Sequence, residues 1–243
     1  MTARNVLKLA SIAVFVACPV SAIAQAESAA FDVTLRGITA AKVRFAANVE
    51  SNEYAVTGIL RPTGLVGAVV DAGYEATSVG RFQSSGGFRP YSFTERRTED
   101  GALSTAEMRY RRGIPQIKTY NPPRDVDPFA VDPSGQGGTV DPMTAIWAAL
   151  RDRPRDLLCD LDVIVFDGKR RSGVRLTNPA LQNDGTITCA GEYRRIQGWS
   201  PQRLAERSRF PFTMTYAEND SGAWEVVRVT TETKFGRAEL RRR

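Results

Sequence analysis

The sequence predicts a mainly β protein: a long, strongly bent antiparallel sheet, an open barrel or β-spiral, with one helix packed against it. Three observations carry this prediction. Apolar residues recur at every second position over most of the chain, Asp-Gly clusters punctuate those runs, and the segment after Asp141-Pro142 switches to helical spacing.

The first element of the chain is an address. Arg4 and Lys8 precede an apolar run from Leu9 to Val20, broken by Ser11, Cys18 and Pro19, and Ala22 and Ala24 are the small residues a signal peptidase reads. Residues 1–24 therefore read as a signal peptide cleaved after Ala24, because the run is shorter than the ~20 apolar residues a spanning helix needs. Lipidation at Cys18 fits poorly: Phe15-Val16-Ala17 precede it and Pro19 follows. The expectation is an exported, periplasmic protein, membrane-peripheral at most, with residues 25–243 forming one β-rich domain.

Strands follow. Val43, Phe45, Ala47 and Val49 share one face, opposite Lys42, Arg44 and Asn48. Tyr54, Val56 and Leu60 repeat the pattern before Pro62, and Met108 and Tyr110 alternate with Glu107, Arg109 and Arg111. Leu161, Val163 and Val165 alternate with Asp160 and Asp162, and Val227 and Val229 flank Arg228. Period two with one polar face is the pattern of half-buried antiparallel strands. Glu99-Asp100-Gly101, Asp167-Gly168 and Asn183-Asp184-Gly185 supply turns, the second as a two-residue turn.

Two segments depart from this period. Residues 63–70 are apolar, contain Gly64 and Gly67, and read as a short helix or tight turn folded against the sheet. The stronger case is Asp141, an N-cap followed by Pro142 at the first helical position, with Ile146, Trp147 and Leu150 at helical spacing. Trp147 is expected in the core, with a ligand-facing position as the minority reading. Residues 121–138, rich in Pro, Asp and Gly, form a long irregular loop of the kind used for lids and binding but often simply mobile.

With Cys18 removed, Cys159 and Cys189 remain, an even number in an oxidising compartment, and a single disulfide is the natural inference. It closes a loop of about 30 residues, worth roughly 3.5 kcal/mol in the chain-entropy model. In a flat three-strand meander the outer strands lie about 9.6 Å apart, too far for a bridge. The pairing therefore asks for curvature, a bridge at strand ends, or another strand order.

Composition removes whole classes of chemistry. The chain has no histidine, which excludes Ser-His-Asp and Cys-His mechanisms and histidine metal sites. Two cysteines alone do not make a zinc site, no calcium-loop spacing occurs, and no Gly-rich phosphate loop opens a helix, so no metal and no cofactor is expected. Loss of Arg4 and Lys8 takes the formal charge from +6 to +4, with acids and bases interleaved rather than gathered into the basic stripe that nucleic acid requires. The terminal Arg237 and Arg241-Arg242-Arg243 read as a solvated, fraying tail, with attraction to anionic lipid head groups as the lesser reading.

Candidate chemistry is sparse. Asp141 is explained by capping and Asp167 by the turn. Asp160 and Asp162 share a strand face and are the acid pair available to a hydrolase, although a salt-bridged exposed face accounts for them better. Lys169-Arg170-Arg171 follow a hairpin turn and suit a phosphate or carboxylate head group, against the plainer reading of a solvated hairpin end; Arg194-Arg195 repeats the pattern.

Four motifs, in order, resemble the bacterial envelope proteins of the domain of unknown function 3108 family: Thr63-Gly64-Leu65-Val66-Gly67, Phe88-Arg89-Pro90, Gly138-Thr139-Val140-Asp141-Pro142 and Val165-Phe166-Asp167-Gly168-Lys169-Arg170, the last bracketed by the cysteine pair. The resemblance spans nearly all of the chain after residue 24. It implies an exported, β-rich protein and carries over no catalytic residue. At the level of fold the chain is also similar to curled-sheet envelope proteins that include lipoprotein carriers, in which a bent sheet wraps a helix and leaves an apolar cavity. The functional expectation is a non-enzymatic periplasmic protein that binds a lipid, a lipidated partner or another envelope component in an apolar hollow. Its contacts would be Trp147, Leu65 and Val66 on the apolar side and Lys169, Arg170 and Arg171 at an anionic head group. The alternative is a carboxylate-dependent hydrolase of an envelope polymer working through Asp160 or Asp162.

Overall fold

The structure is a computed structural model and describes residues 25–69, 71–83 and 86–243; the signal-peptide segment lies outside the described residues. The first seven strands are β1 (Gln25–Leu35), β2 (Ile38–Glu50), β3 (Glu53–Pro62), β4 (Ala72–Phe82), β5 (Phe88–Glu99), β6 (Ala102–Arg111) and β7 (Ile114–Asn121), with helix α1 (Gly64–Val69) between β3 and β4. Helix α2 (Pro142–Leu150) follows, then β8 (Leu161–Phe166), β9 (Arg171–Leu181) and β10 (Ile187–Gln197). Helix α3 (Pro201–Glu206), β11 (Arg209–Glu218), β12 (Trp224–Thr233) and β13 (Gly236–Arg242) complete the chain.

All 13 strands form one antiparallel sheet in the order β7-β6-β5-β4-β3-β2-β1-β13-β12-β11-β10-β9-β8. Two meanders are thus joined where the first strand meets the last, Phe31 opposite Arg242 and Leu35 opposite Ala238. The bent sheet with a packed helix matches the predicted class. The C-terminal arginines do not fray: Arg237, Arg241 and Arg242 belong to β13, beside the middle strand of the sheet, and Arg243 N donates to Ala30 O. Arg242 is paired with Asp152 at 2.9 Å and Glu225 at 3.1 Å, and Arg243 with Asp32 at 3.5 Å. A backbone laddered on both sides has no freedom to fray, whatever its charge.

Local chemistry sets the turns. Arg36-Gly37, Ser51-Asn52, Asp100-Gly101 and Arg112-Gly113 each have two consecutive residues at positive φ, the geometry of tight hairpins whose twist matches the strands. Asp167 heads a four-residue loop instead of the expected two-residue turn: Phe166 pairs with Arg171, and the Asp167 carboxylate accepts from Lys169 N and Arg170 N at 2.9 and 2.7 Å.

The alternation expected for β2 and β8 holds, with Phe45, Ala47, Leu161 and Val165 buried. On β12 it slips. Tyr216 faces Val226 while Thr215 faces Arg228, so Val227 is a bulge residue and the buried face is Trp224 and Val226. Leu60 shares its strand face with Tyr54 and Val56 but lies 38 % exposed near the strand end.

Helix α2 lies inside the bend. The Asp141 carboxylate caps it by accepting from Thr144 N at 2.9 Å, and Pro142 occupies the first turn. Met143 Sδ lies where a Cβ on residue 58 would fall, so Gly58 lets the helix approach β3 closely. Trp147 is fully buried, its ring 5.1 Å from Tyr54 and 5.8 Å from both Phe82 and Phe88, whereas Ile146 turns outward. Each such aromatic contributes about 1.5–3 kcal/mol by leaving water.

The edge strands β7 and β8 are bridged by the long connection, which is tied down rather than loose. Val131 N donates to Lys169 O at 2.9 Å and Gly138 N to Gly113 O at 3.2 Å, while Val140 adds a parallel bridge to Val165. Tyr120 reaches across to Gly168 O at 3.1 Å.

Cys159 and Cys189 form the predicted disulfide, with Cα atoms 5.3 Å apart. Cys159 lies two residues before β8 and adopts φ 59°, and the bridge crosses β9 beyond Leu176, where the pairing with β8 stops. Of the three geometries the pairing allowed, this is nearest to a bridge at strand ends: Cys159 stands before β8, while Cys189 lies within β10, opposite Met214. A bulge assists it: Thr188 faces Ala180 but Ala190 faces Thr177, leaving Cys189 at the irregularity.

Candidate functional site

Three loops converge at the start of β9. The first is the β8–β9 loop, held rigid by the Asp167 carboxylate, which places Lys169 and Arg170 side by side. The second connects β10 to β11. Its Gly198 has φ 92°, and a Cβ there would sit 2.7 Å from both Arg170 Cα and Lys169 O. Only glycine allows this backbone to lie flat against the first loop. The third is the β7–α2 connection, in which Asp127 accepts from Phe129 N at 3.0 Å and stands 4.0 Å from Lys169 Nζ and 3.9 Å from Arg170 Nη2.

Between them lies an open cleft of about 440 Å³, lined by Asp127, Phe129, Lys169, Arg170, Trp199 and Arg203 among others. From Trp199 in its wall, arginines and aromatic rings alternate away from the cleft. Arg170 and Arg195 lie 5.6 and 5.7 Å from the Trp199 ring, and Arg195 and Arg207 lie 4.8 and 4.7 Å from the Phe210 ring. Arg195 and Arg207 spend donors on the backbone, Arg195 Nη1 on Arg203 O and Arg207 O and Arg207 Nε on Arg209 O, which fixes the row beside Trp199. Arg170 Nε is buried and finds no hydrogen-bond partner among the described residues. Asp127 is thus a distant carboxylate for two cations, one of which keeps a donor unspent. The arrangement suits a planar or tetrahedral anion with an apolar attachment resting on Trp199 and Phe129.

Of the residues singled out in the sequence, Lys169 and Arg170 meet in this cleft. Arg171 does not: its guanidinium donates to Gln136 Oε1 at 3.1 Å and anchors the crossing connection. Val66 is half-buried on α1, in the other half of the sheet, and Leu65 shares that helix, its side chain outside the described residues. Trp147 fills the interior and donates through Nε1 to Glu27 Oε2 at 3.1 Å, so the core reading of this residue holds and the space beside α2 is packed with aromatic rings instead of standing open. Asp160 and Asp162 are exposed, and Asp162 lies 3.8 Å from Arg175 on the outer face. Trp199, Arg203 and Asp127 went unrecognised in the sequence. The visible signal was a tryptophan between two arginine groups, Arg194-Arg195 and Arg203, beside Gly198.

A second polar centre is sealed inside. Asp141 Oδ2 accepts from Ser78 Oγ and Thr144 Oγ1, both at 2.7 Å, and the Tyr54 hydroxyl lies 3.0 Å from Thr144 Oγ1. Burial pushes the Asp141 carboxyl above the usual carboxylate range, against the pull of these hydrogen bonds. Glu27 is raised likewise by burial, opposed by donors from Asp152 N at 2.7 Å and Trp147. Both carboxylates hold helix α2, one at each end. Among the described residues no group of three or more His, Cys, Asp or Glu side chains is placed to hold a metal ion, and no helix is long and apolar enough to cross a membrane.

A family model described as protein of unknown function (DUF3108) matches residues 30–241. No curated protein matches the chain. Among solved structures, a β-barrel-like protein of the domain of unknown function DUF1849 from Brucella abortus is similar at a TM-score of 0.44 and 9% identity, over 89% of this chain and 94% of its own.

Proposed function

We propose that this chain, which belongs to the DUF3108 family of proteins of unknown function, is an exported binding protein that holds an anionic component of the cell envelope in the cleft between Arg170 and Trp199. The single observation that supports this reading is the pair of partly exposed cations, Lys169 and Arg170, side by side in a cleft lined by Trp199, with the Asp127 carboxylate no closer than 3.9 Å to either. Two neighbouring cations with only a distant carboxylate gain charge-assisted hydrogen bonds from a bound phosphate or carboxylate. Export is supported by the segment before Ala24 and agrees with the Cys159–Cys189 disulfide. In this reading the ligand lies among the loops at one end of the sheet and not in the hollow first expected, where α2 and its aromatic neighbours pack.

Native mass spectrometry of protein released gently from the periplasm is the direct test, paired with calorimetric titration using glycerol 3-phosphate as a head-group probe. Co-purified phosphate- or carboxylate-bearing material, and saturable heat weakened ~10-fold or more by Lys169→Glu with Arg170→Glu, are expected. A clean apo mass after incubation with envelope lipids, together with no heat from the probe, would remove the proposal.

A further inference from the structure

Antiparallel connections alternate between the two ends of their strands, and here the ends differ in chemistry. One end carries Ser51-Asn52, the Gln83–Gly87 turn, Arg112-Gly113, the Gln182–Thr186 turn and the Asn219–Ala223 turn, all small or polar apart from Arg112. The other carries Arg36-Gly37, the apolar helix α1, the acidic Asp100-Gly101 turn, the β8–β9 loop, α3 and Lys234-Phe235.

At the middle of that second end two hairpins stand side by side, where the meanders meet. Arg36 N donates to Arg237 O at 3.0 Å, and Arg36 Nε donates to Phe235 O. Their tips present Ile38 and Phe235, each 59 % exposed, with Lys234 Nζ 4.9 Å from the Phe235 ring. Arg36, Lys234 and Arg237 are exposed around them. Across residues 35–38 and 232–237 three cations stand against one carboxylate, Glu232.

We propose that this end of the sheet docks on an anionic phospholipid bilayer, with Ile38 and Phe235 entering the head-group region and Arg36, Lys234 and Arg237 meeting lipid phosphates. Two large apolar side chains raised into water on rigid turns, ringed by long cationic side chains, have the composition of an interfacial anchor. Charge selects the occupant: a second copy would set like cations against each other, whereas an anionic surface attracts each of them. The far end also exposes an apolar residue, Leu181, at 65 %, but the turn beside it, residues 182–186, carries Asp184 and no cation, so an anionic surface selects the end with Ile38 and Phe235. The inference does not rest on the cleft, since neither Ile38 nor Phe235 lines it.

Co-sedimentation of the exported, processed protein decides it, using vesicles of phosphatidylethanolamine with phosphatidylglycerol against vesicles of phosphatidylcholine alone. Binding to the anionic vesicles only is expected, weakened by added salt and lowered ~10-fold or more by Ile38→Asp with Phe235→Asp at an unchanged melting temperature. Should that variant not fold, Arg36→Gln with Lys234→Gln serves, with the same direction of effect. Equal partition onto both vesicle types, or binding indifferent to these substitutions, overturns the proposal. So does lipid-free self-association abolished by Ile38→Asp, which would assign the patch to a second copy. Lys169→Glu with Arg170→Glu tests the cleft separately: lost glycerol 3-phosphate binding with Ile38-dependent docking retained separates the two readings.

Discussion

Arg242, the penultimate residue, donates to both carboxylate oxygens of Asp152, at 2.9 and 3.5 Å, and so ties the last strand to the end of the interior helix. Glu225 completes the site from β12 at 3.1 Å. The final strand is therefore a structural centre, and the protein is expected to depend on it.

Arg242→Ala leaves two half-buried carboxylates without their cation, and a loss of about 2–3 kcal/mol in urea unfolding is expected. Removing residues 240–243 strips the seam between the two meanders and should abolish cooperative unfolding. A truncated protein with wild-type stability would contradict the role of the seam.

The disulfide closes a sequence separation of 30 residues. Cys159→Ala with Cys189→Ala should lower stability by roughly 3.5 kcal/mol in the chain-entropy model. Thiol labelling of the native protein should find no reactive cysteine after residue 24 until a reductant is added.

Asp141 and Glu27 both have folded-state pKa values above their ordinary ones. An acid raised in the folded state binds its proton there first, so stability is greater below the ordinary carboxylate pKa and is lost as pH rises through the folded one. The contribution of these two groups thus grows on acidification from neutral pH. Asp141→Asn keeps an acceptor for Thr144 N and should hold stability within ~1 kcal/mol while flattening this dependence, whereas Asp141→Ala loses the cap and the network and should cost about 2–4 kcal/mol. Denaturant titrations at pH 5 and pH 7 separate these cases.

Gly198→Ala places a Cβ against the Arg170 backbone at a φ of 92°. A loss of about 1–3 kcal/mol is expected, together with a changed Trp199 environment in tryptophan fluorescence. If the anion site lies in this cleft, the same substitution weakens glycerol 3-phosphate binding without touching a charged side chain.

Much of this protein was legible locally. Period-two alternation located the strand around Phe45, Asp141-Pro142 located the start of the helix, and two cysteines outside the signal segment located the disulfide, because each depends on residues close in sequence or on simple pairing. The Val227 bulge was not legible: a one-residue irregularity is set by the partner strand, and the alternation through Arg228 gives no sign of it. The loop after Asp167 was read one turn type too short, since the side chain of Asp167 hydrogen-bonds two residues beyond the Asp-Gly pair.

By itself the sequence determined a histidine-free, β-rich chain with a capped helix and a cysteine pair. Tertiary structure alone decided that β1 pairs with β13, which turned a basic tail into an interior strand of the sheet. It also decided that Asp127, Arg170, Trp199 and Arg203, up to 76 positions apart in the numbering, line one cleft. The physical reason is the same in both cases. Strand pairing and loop convergence are fixed by which distant segments satisfy each other's backbone groups and bury each other's apolar faces, and neither quantity is written in any one segment.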